Sequence, residues 1–377
     1  MKQRKPNRTR IHPTLIGRTS PHAVPVYLAD GLLERMGELI HPGRRGRSIA
    51  LVSDETVNSL HGTRLIHALT RAGWHVDRFL FKPGESTKSA RTISRLHEQW
   101  FAKGYDRSTP VIAFGGGTIG DAAGYAAATF LRGLPLWLVP TTIVGQVDSA
   151  LGGKVGINHA RGKNLIGCFY HPSGVIIDPS LLATLPARER RSGLAEVVKY
   201  GVIADRQLFA RCEEHAAPWS RGDRSFDADT IRRCARIKLR VVERDEADHG
   251  LRHILNFGHT LGHAFERWGG YRRLRHGEAV TLGMIAVGRI ALNRRIFTND
   301  AFARLSRVCV PLAPAIQRAT FRVAEVMPHL GVDKKRKDGR QIWVLPIQIG
   351  KVAMVDNVTD NEIRDAIAFV SKWLKER

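Results

Sequence analysis

Two textures of apolar spacing divide the chain. In the first half, short apolar runs alternate with helical spacing. Arg47 to Ser53 (RSIALVS) is strand-like and ends at Asp54, Glu55 to Ala72 repeats at a helical period, and His75 to Phe81 is strand-like again. A third apolar run, Pro110 to Phe114, enters the turn Gly115-Gly116-Gly117-Thr118-Ile119-Gly120-Asp121, and the small residues that follow (AAGYAAAT) suit a helix packed closely on a sheet. A further strand, Leu134 to Val139, stops at Pro140-Thr141-Thr142. Strand and helix in alternation predict a parallel α/β layer. Beyond about Asp178 the pattern becomes long and amphipathic, over Ala187–Val202, Ala228–Asp245, Gly258–Arg267 and Glu278–Ile296. Gln341 to Gly350 reads as a short strand or hairpin and Asn361 to Lys375 as a closing helix. The expected division is therefore an α/β part over 1–180, with 1–23 a basic extension, and a mainly α-helical part over 181–377.

A length of 377 residues favours two units over one core, and 43% hydrophobic with 25% charged residues excludes disorder as the dominant state. Four scattered cysteines (Cys168, Cys212, Cys234, Cys309) form no CxxC pair, so neither a disulfide framework nor a thiolate zinc site is indicated. No run reaches the length of a membrane span, and the basic start leads into no apolar signal segment; the expectation is a cytoplasmic protein with no membrane partner. The formal charge of +24 attracts anions of any kind. It is spread through Arg-rich helices and accompanied by no nucleic-acid motif, so no specific nucleic-acid partner is expected.

Gly115-x-Gly117-x-x-Gly120 matches the dinucleotide fingerprint in letter. It follows the third apolar run rather than the first, and Asp121 is placed at the helix start, where a capping role is equally available; tight packing alone also explains the glycines. Ser53-Asp54-Glu55-Thr56 and Pro83-Gly84-Glu85-Ser86-Thr87-Lys88-Ser89 end the first two strands. An acid at such an edge can accept from a ribose, and a solvated turn is the plain alternative.

In the second half, Glu196 and Lys199 share one helical face, and His259-x-x-x-His263 places two imidazoles on another, with His276-Gly277-Glu278 beyond a loop. Three histidines and one glutamate compete for a metal site. Catalytic zinc takes three such ligands and keeps one position open, and spacing alone pairs His259 with His263. Arg132, Lys154, Lys163, Asn164, Lys199, Lys238, Arg252 and Asn256 lie in adjacent segments, and an anionic substrate would explain them, although most cations in so basic a chain are solvated.

Together the segments SDET, PGESTKS, GGGTIGDAAGYAAATFLRG, VPTT, QVDSALGGKVGIN, GKNLIGCFYHP, DPSLLATLP, GLAEVVKYG, LRHILNFGHTLGHAFE, HGEAV and DKKRKDG resemble the dehydroquinate synthase family from about Ser53 to Lys351. The resemblance implies an α/β N-terminal dinucleotide-binding domain and a mainly α-helical C-terminal metal-binding domain. It implies NAD contacts at Asp54, Glu85, Lys88, Gly116, Gly117, Asp121, Thr141, Thr142, Lys154, Lys163, Thr184, Leu185 and Glu189. It implies one zinc or cobalt ion on Glu196, His259 and His276, which makes His263 a substrate contact and overrides the pairing by spacing. Substrate and catalytic positions are implied at Arg132, Asp148, Lys154, Lys163, Asn164, Lys199, Lys238, Arg252, Asn256, His263 and one of Lys334 and Lys335. The implied substrate is 3-deoxy-D-arabino-heptulosonate 7-phosphate, and the implied sequence is transient oxidation by NAD, loss of phosphate, return of hydride and aldol closure, in a homodimer. Val155, Thr56 and Ile143-Val144-Gly145 depart from the family's usual residues without removing a functional side chain. Related cyclases making a valiolone or a deoxy-inosose are the nearest alternatives, separated by Gly152-Gly153-Lys154, Lys238 and His263. Metal-dependent alcohol or glycerol dehydrogenases are the next.

Overall fold

The computed structural model describes residues 12–19, 22–41, 47–222, 226–315, 320–330, 336–337 and 340–377. Lys334 and Lys335 lie outside them, as does most of the 1–23 segment. The chain divides into two compact units, Met1–Pro140 with Gly153–Ser180, and Thr141–Gly152 with Leu181–Arg377.

The first unit carries β1 (Leu15–Thr19), β2 (His22–Leu28), β3 (Ser48–Asp54), α1 (Glu55–Val57), a π-turn over Asn58–Gly62, α2 (Thr63–Arg71), β4 (His75–Phe81), α3 (Ala90–Ala102), β5 (Val111–Gly115), α4 (Gly117–Thr129), β6 (Leu136–Pro140), β7 (Lys154–His159), β8 (Gly162–Phe169) and β9 (Gly174–Ile177). Seven strands form one sheet in the order β1-β2-β9-β6-β5-β3-β4, parallel except for the β1–β2 pair. β5 and β6 are buried along their whole length, because helices cover both faces of a parallel sheet and leave no solvent side for polar residues.

The basic extension is not all appendage. Residues 15–19 are an antiparallel edge strand, with Leu15 opposite Val26 and Thr19 opposite His22. The strand is too short, and too interrupted by Arg18, to stand out by alternation.

The order of the sheet gives the glycine turn its meaning. From β3 the chain steps outward to β4, then returns to the other side of β3 to lay down β5 and β6. The connections diverge between β3 and β5, the topological switch point where an open parallel sheet leaves a crevice. Asp54 ends one of these strands and Gly115-Gly116 the other. The fingerprint on the third run therefore flanks the switch point, across it from the strand that carries the fingerprint in the simplest dinucleotide fold.

α4 lies hard against the β7–β8 hairpin. A Cβ on Gly124 would come within 2.5 Å of Val155 Cγ1, and within the hairpin Gly156 faces Gly167 so closely that a Cβ on Gly167 would come within 2.3 Å of the Val155 carbonyl oxygen.

In the second unit Thr141–Gly152 makes a π-turn over Gly145–Ser149. There follow α5 (Ala187–Ala204), α6 (Arg206–Arg221), α7 (Ala228–Arg244), α8 (His259–Trp268), α9 (His276–Asn293), α10 (Asn299–Cys309), α11 (Val323–Val326), short pairs β10 (Arg336–Lys337) with β11 (Arg340–Gln341) and β12 (Trp343–Gln348) with β13 (Lys351–Val355), and α12 (Asp360–Glu376). α9 is buried on nearly every side, packed by α5, α8, α10 and α12, so it is a central helix rather than the amphipathic one its flanks suggest. It stops at Asn293 rather than Ile296, where Arg295 turns to φ +59°. Residues 141–152 cluster with this unit for a steric reason: Gly193 in α5 lets the chain at Ile143 approach so closely that a Cβ there would sit 2.3 Å from Ile143 Cβ.

A Gly124→Ala substitution is expected to lower the thermal midpoint by an amount equivalent to roughly 1–3 kcal/mol through overpacking, and Val155→Ala in the same chain is expected to restore part of the loss. Calorimetry of the single and double variants checks both.

Candidate functional site

In the first unit the strand ends gather the residues expected to hold a nucleotide. Asp54 caps α1, accepting from Val57 N at 2.9 Å. Gly116 is the N-cap of α4 and Gly117 its first residue, so their amides lie at a helix N-terminus that favours phosphate. Asp121 is in the second turn of α4 rather than at its start, and it serves as an ion-pair partner, not a cap: Lys88 Nζ donates to Asp121 Oδ2 at 2.6 Å. Burial raises the Asp121 carboxyl, with Glu85 adding to the rise and Lys88 opposing it.

Lys88, 4% exposed, also donates to Asn164 Oδ1. Asn158, which was not singled out from the sequence, ties this turn to the hairpin: its Nδ2 donates to Glu85 Oε1 at 2.8 Å and its Oδ1 accepts from Asn164 N at 3.0 Å. Arg132 and Leu131 adopt φ +65° and +47°, and Asn164 φ +55°, left-handed values that cost energy in non-glycine residues and collect at functional sites. Arg132 is exposed; Lys154 opens β7 and Lys163 lies in β8.

The second unit holds a denser cluster. Thr142 Oγ1 accepts from Gly145 N at 3.1 Å and so starts the π-turn that carries Asp148. Lys199 Nζ donates to Asp148 Oδ2 at 3.0 Å, Lys238 donates to Oδ1, and Lys199 also pairs with Glu196 one helical turn away. Glu196 and Lys199 are 1% and 0% exposed, against the ordinary expectation of a surface pair.

Burial alone would raise the Asp148 carboxyl, but Lys199 and Lys238 outweigh it and hold the group below its usual range. Burial depresses Lys199, and the two carboxylates more than reverse this. Lys238 falls below its ordinary value because burial, Lys199 and Arg252 together exceed the help of Asp148. Thr184, Leu185 and Glu189 lie just before and within the first turn of α5, and Glu189 pairs with Arg275 at 2.9 Å.

Glu196, His259 and His276 offer ligand atoms that all lie within 4.8 Å of one another. His259 Nε2 and His276 Nε2 stand 3.5 and 3.4 Å from the same oxygen, Glu196 Oε1. Metal–ligand bonds of 2.0–2.2 Å at tetrahedral angles separate neighbouring ligand atoms by about 3.4 Å, so the spacing is that of one zinc-sized ion. The outer nitrogens are already committed: His259 Nδ1 meets the Phe257 carbonyl at 3.1 Å and His276 Nδ1 meets Glu266 Oε2 at 3.2 Å. Both acceptors can only accept, so each Nδ1 carries the proton and each Nε2 lone pair is left for a cation. The residues fit a divalent metal.

Burial pushes His259 down to about 4 despite Glu196; burial also opposes the charged form of His276, but Glu266 and Glu196 outweigh it and raise it to about 10.

His263 lies on the same face of α8, its ring 5.6 Å from that of His259, and its nitrogen groups with Glu266 and His276 rather than with Glu196. The His259–His263 pairing suggested by spacing is thus not the set that gathers around Glu196, since the third and fourth elements of a site come from other helices and leave no trace in local spacing. Asn256 lies in the turn before α8.

Glycine contacts bring those helices together. A Cβ on Gly277 would lie 1.9 Å from the Ser192 carbonyl oxygen, and Gly277 N donates to Ser192 Oγ at 2.9 Å. A Cβ on Gly283 would lie 1.8 Å from the Gly258 carbonyl oxygen. The first contact adjoins His276 and the second adjoins His259. Arg188 grips Glu278 at 2.8 and 2.7 Å and Arg273 O at 2.9 Å, fixing the loop that delivers His276.

Arg252, 2% exposed, donates to Glu246 O at 2.9 Å and Gly152 O at 3.0 Å. The turn that carries it is held by Asp245, which accepts from His249 N, Gly250 N and Arg252 N at 2.8–2.9 Å. Asp245, Glu266, Ser192 and Asn158 escaped the sequence reading. Glu266 had a signal, the i, i+4, i+7 series His259, His263, Glu266 on one helix face; Asp245, at a helix end in a charged run, had none.

A sheet with its glycine turn at a switch point, and a helical unit with a His2Glu cluster beside buried lysines, make up a two-unit fold found in solved sugar-phosphate cyclases. The structure aligns with 2-epi-5-epi-valiolone synthase from Streptomyces hygroscopicus subsp. jinggangensis 5008, solved with NAD+ and Zn2+, at TM-score 0.86 and 29% identity over 94% of this chain and 98% of that one. It aligns with 2-deoxy-scyllo-inosose synthase, solved with carbaglucose-6-phosphate, NAD+ and Co2+, at TM-score 0.82 and 25% identity over 94% and 98%. A glycerol dehydrogenase from Schizosaccharomyces pombe, 17% identical with TM-score 0.63 over 93% and 90%, shares the fold.

The chain belongs to the 3-dehydroquinate synthase family: the family's N-terminal model matches residues 78–192 and its C-terminal model residues 193–336. It is 41% identical to the 3-dehydroquinate synthase of Desulforamulus reducens over 90% of this chain and 95% of that protein, and 39% identical to that of Rippkaea orientalis over 91% and 94%.

Two predictions come from this geometry. Gly277→Ala is expected to force α5 and α9 apart at a cost on the order of 3 kcal/mol or more, and to reduce retained metal in proportion; thermal unfolding and metal content measure the two effects together. Asp245→Ala is expected to cost on the order of 2 kcal/mol for the loss of charge-assisted backbone bonds. The Asp245 carboxyl is lowered from 3.8 to about 2, burial opposing and the backbone donors winning. A depressed carboxyl stabilises above its unfolded value and loses that contribution as pH falls, so the gap between parent and variant should be full above pH 4 and close toward pH 2 in unfolding titrations.

Proposed function

We propose that this chain converts 3-deoxy-D-arabino-heptulosonate 7-phosphate to 3-dehydroquinate and phosphate, a carbon–oxygen lyase reaction of the cytoplasm, with NAD used catalytically and one zinc or cobalt ion. The observation that carries the reading is the continuous buried network Lys238–Asp148–Lys199–Glu196, which joins a cation for an anionic substrate to the metal ligands. The names of the relatives and the NAD+, Zn2+ and Co2+ of the solved neighbours support it.

In this reading the residues that bind NAD are Asp54, Glu85, Lys88, Gly116, Gly117, Asp121, Thr141, Thr142, Lys154, Lys163, Thr184, Leu185 and Glu189. Glu196, His259 and His276 hold the metal. When bound, NAD supplies reversible hydride transfer at a ring hydroxyl and the metal supplies a Lewis acid for the neighbouring oxygens.

The remaining work belongs to the chain's own groups. Lys199 Nζ keeps its proton and balances Glu196 and Asp148, so Glu196 stays ionised and available as a ligand. Lys238 Nζ, depressed by burial and by two neighbouring cations, is the amine whose proton moves most readily. Arg252, Lys154, Lys163, Arg132 and Asn164 bind the phosphate and carboxylate; the Arg252 guanidinium is pre-set by two backbone carbonyls. His263 and Asn256, on and just before α8, orient the reacting hydroxyls and handle protons there.

The test is phosphate release from this substrate by purified protein with NAD and zinc, before and after chelation, while absorbance follows NADH. Chelator-sensitive release with dehydroquinate formed and no NADH accumulated is the expected outcome. NADH accumulating from an alcohol would point to a dehydrogenase, and no turnover with both cofactors bound would favour the valiolone- or inosose-type cyclases, whose structures align over nearly the whole chain. A homodimer is expected, and light scattering measures it.

A further inference from the structure

We propose that Glu266 is a positioning residue for the metal centre: its carboxylate accepts the Nδ1 proton of His276, fixing the tautomer and ring angle that aim Nε2 at the ion. The inference rests on the reading that Glu196, His259 and His276 are the ligands.

Glu266 is 3% exposed and lies at the end of α8, two turns beyond His259. A carboxylate so deeply buried must be paired, and the ring of His276, delivered by the N-terminus of α9, is a partner at 3.2 Å. The two ligand histidines are supported unequally. His259 leans on a neutral backbone carbonyl, that of Phe257 at 3.1 Å, whereas His276 leans on a full negative charge. A carboxylate behind an imidazole increases the donor strength of the far nitrogen and adds anionic charge one ring away from the cation.

The need for that charge is visible in the inventory of the site. Asp148 and Glu196 are matched by Lys199 and Lys238, so those four groups sum to zero. Glu266 adds a negative charge beside His276, over and above that balanced set. Glu266 also anchors the turn after its own helix, since Tyr271 N donates to its backbone carbonyl at 2.8 Å, which keeps the side chain on a rigid base.

An alternative role competes, because His263, Glu266 and His276 also bring ligand atoms within 4.8 Å of one another, the geometry of a second cation site. That role needs His276 to use both nitrogens as ligands, whereas a proton on Nδ1 satisfies Glu266 without any ion; the structure favours positioning.

The experiment loads the full chain with cobalt and follows its visible absorption while a chelator in excess removes the metal. Glu266→Gln keeps an acceptor but no charge, and cobalt loss is expected to be ~10–100-fold faster than in the parent, with a shifted cobalt spectrum. Glu266→Ala should lose metal faster still. Glu266→Asp, charged but one methylene short, should fall between parent and glutamine variant, and it carries the test if the glutamine variant does not fold, as judged by thermal unfolding. Loss rates and spectra indistinguishable from the parent's would overturn the proposal. So would two cobalt ions per parent chain falling to one in the glutamine variant, which would make Glu266 a ligand. Glu196→Gln separates the two readings: if that variant retains cobalt like the parent, the assignment of the metal site itself fails, whatever Glu266 does.

Discussion

The second unit is organised around a charge that has no business in a protein interior. Glu196 sits in the middle of α5, 1% exposed, among Leu194, Ala195, Val197 and Val198. An ionised carboxylate there is costly unless it is paired and hydrogen-bonded. Lys199 provides one partner, but Lys199 is as deeply buried and needs Asp148 as well, and Asp148 in turn holds Lys238. Each group is tolerable only because of the next. Burying the set rather than exposing it keeps water from screening it, so the field at the Glu196 carboxylate stays strong.

Such a network requires helices to approach more closely than side chains normally permit, and glycine contacts supply the approach. Gly193 admits the Thr141–Gly152 segment, and with it Asp148; Gly277 admits α9, and with it His276; Gly283 seats α9 against the turn that presents His259. These glycines stand next to candidate site residues and act on them by geometry alone. A segment so tightly seated also explains why residues 141–152 cluster with the helices although the sequence places them among the strands.

Much of this was legible from the sequence, and the limits are physical. Strands β3 to β6 and helices α5, α7, α8 and α12 show in the apolar period, because each has one environment along its length. α9 showed as amphipathic only through Arg289 and the two arginines just past its end, Arg294 and Arg295; a helix buried all round has no face to reveal. The β7–β8 hairpin is invisible to alternation, since β8 is exposed on both sides for most of its length and its glycines face each other for close pairing. The fingerprint at Gly115–Gly120 was ambiguous in one dimension. Its reading depended on β5 lying next to β3 at the point where the connections diverge, and strand order is not written in any window of sequence.

The candidate metal cluster shows the same limit in sharper form. Spacing sees neighbours on one helix, so it finds His259 with His263, while the set that surrounds Glu196 draws on three helices. What the single helix does encode is one member of that set and two neighbours beside it. His259, His263 and Glu266 occupy successive turns of one face of α8: the first presents its Nε2 to Glu196, the last meets His276 Nδ1 from α9, and the one between lies within ring contact of both His259 and His276. A period that looks like a chelating pair thus belongs to three side chains with different partners, and the distinction appears only once α9 is laid across α8.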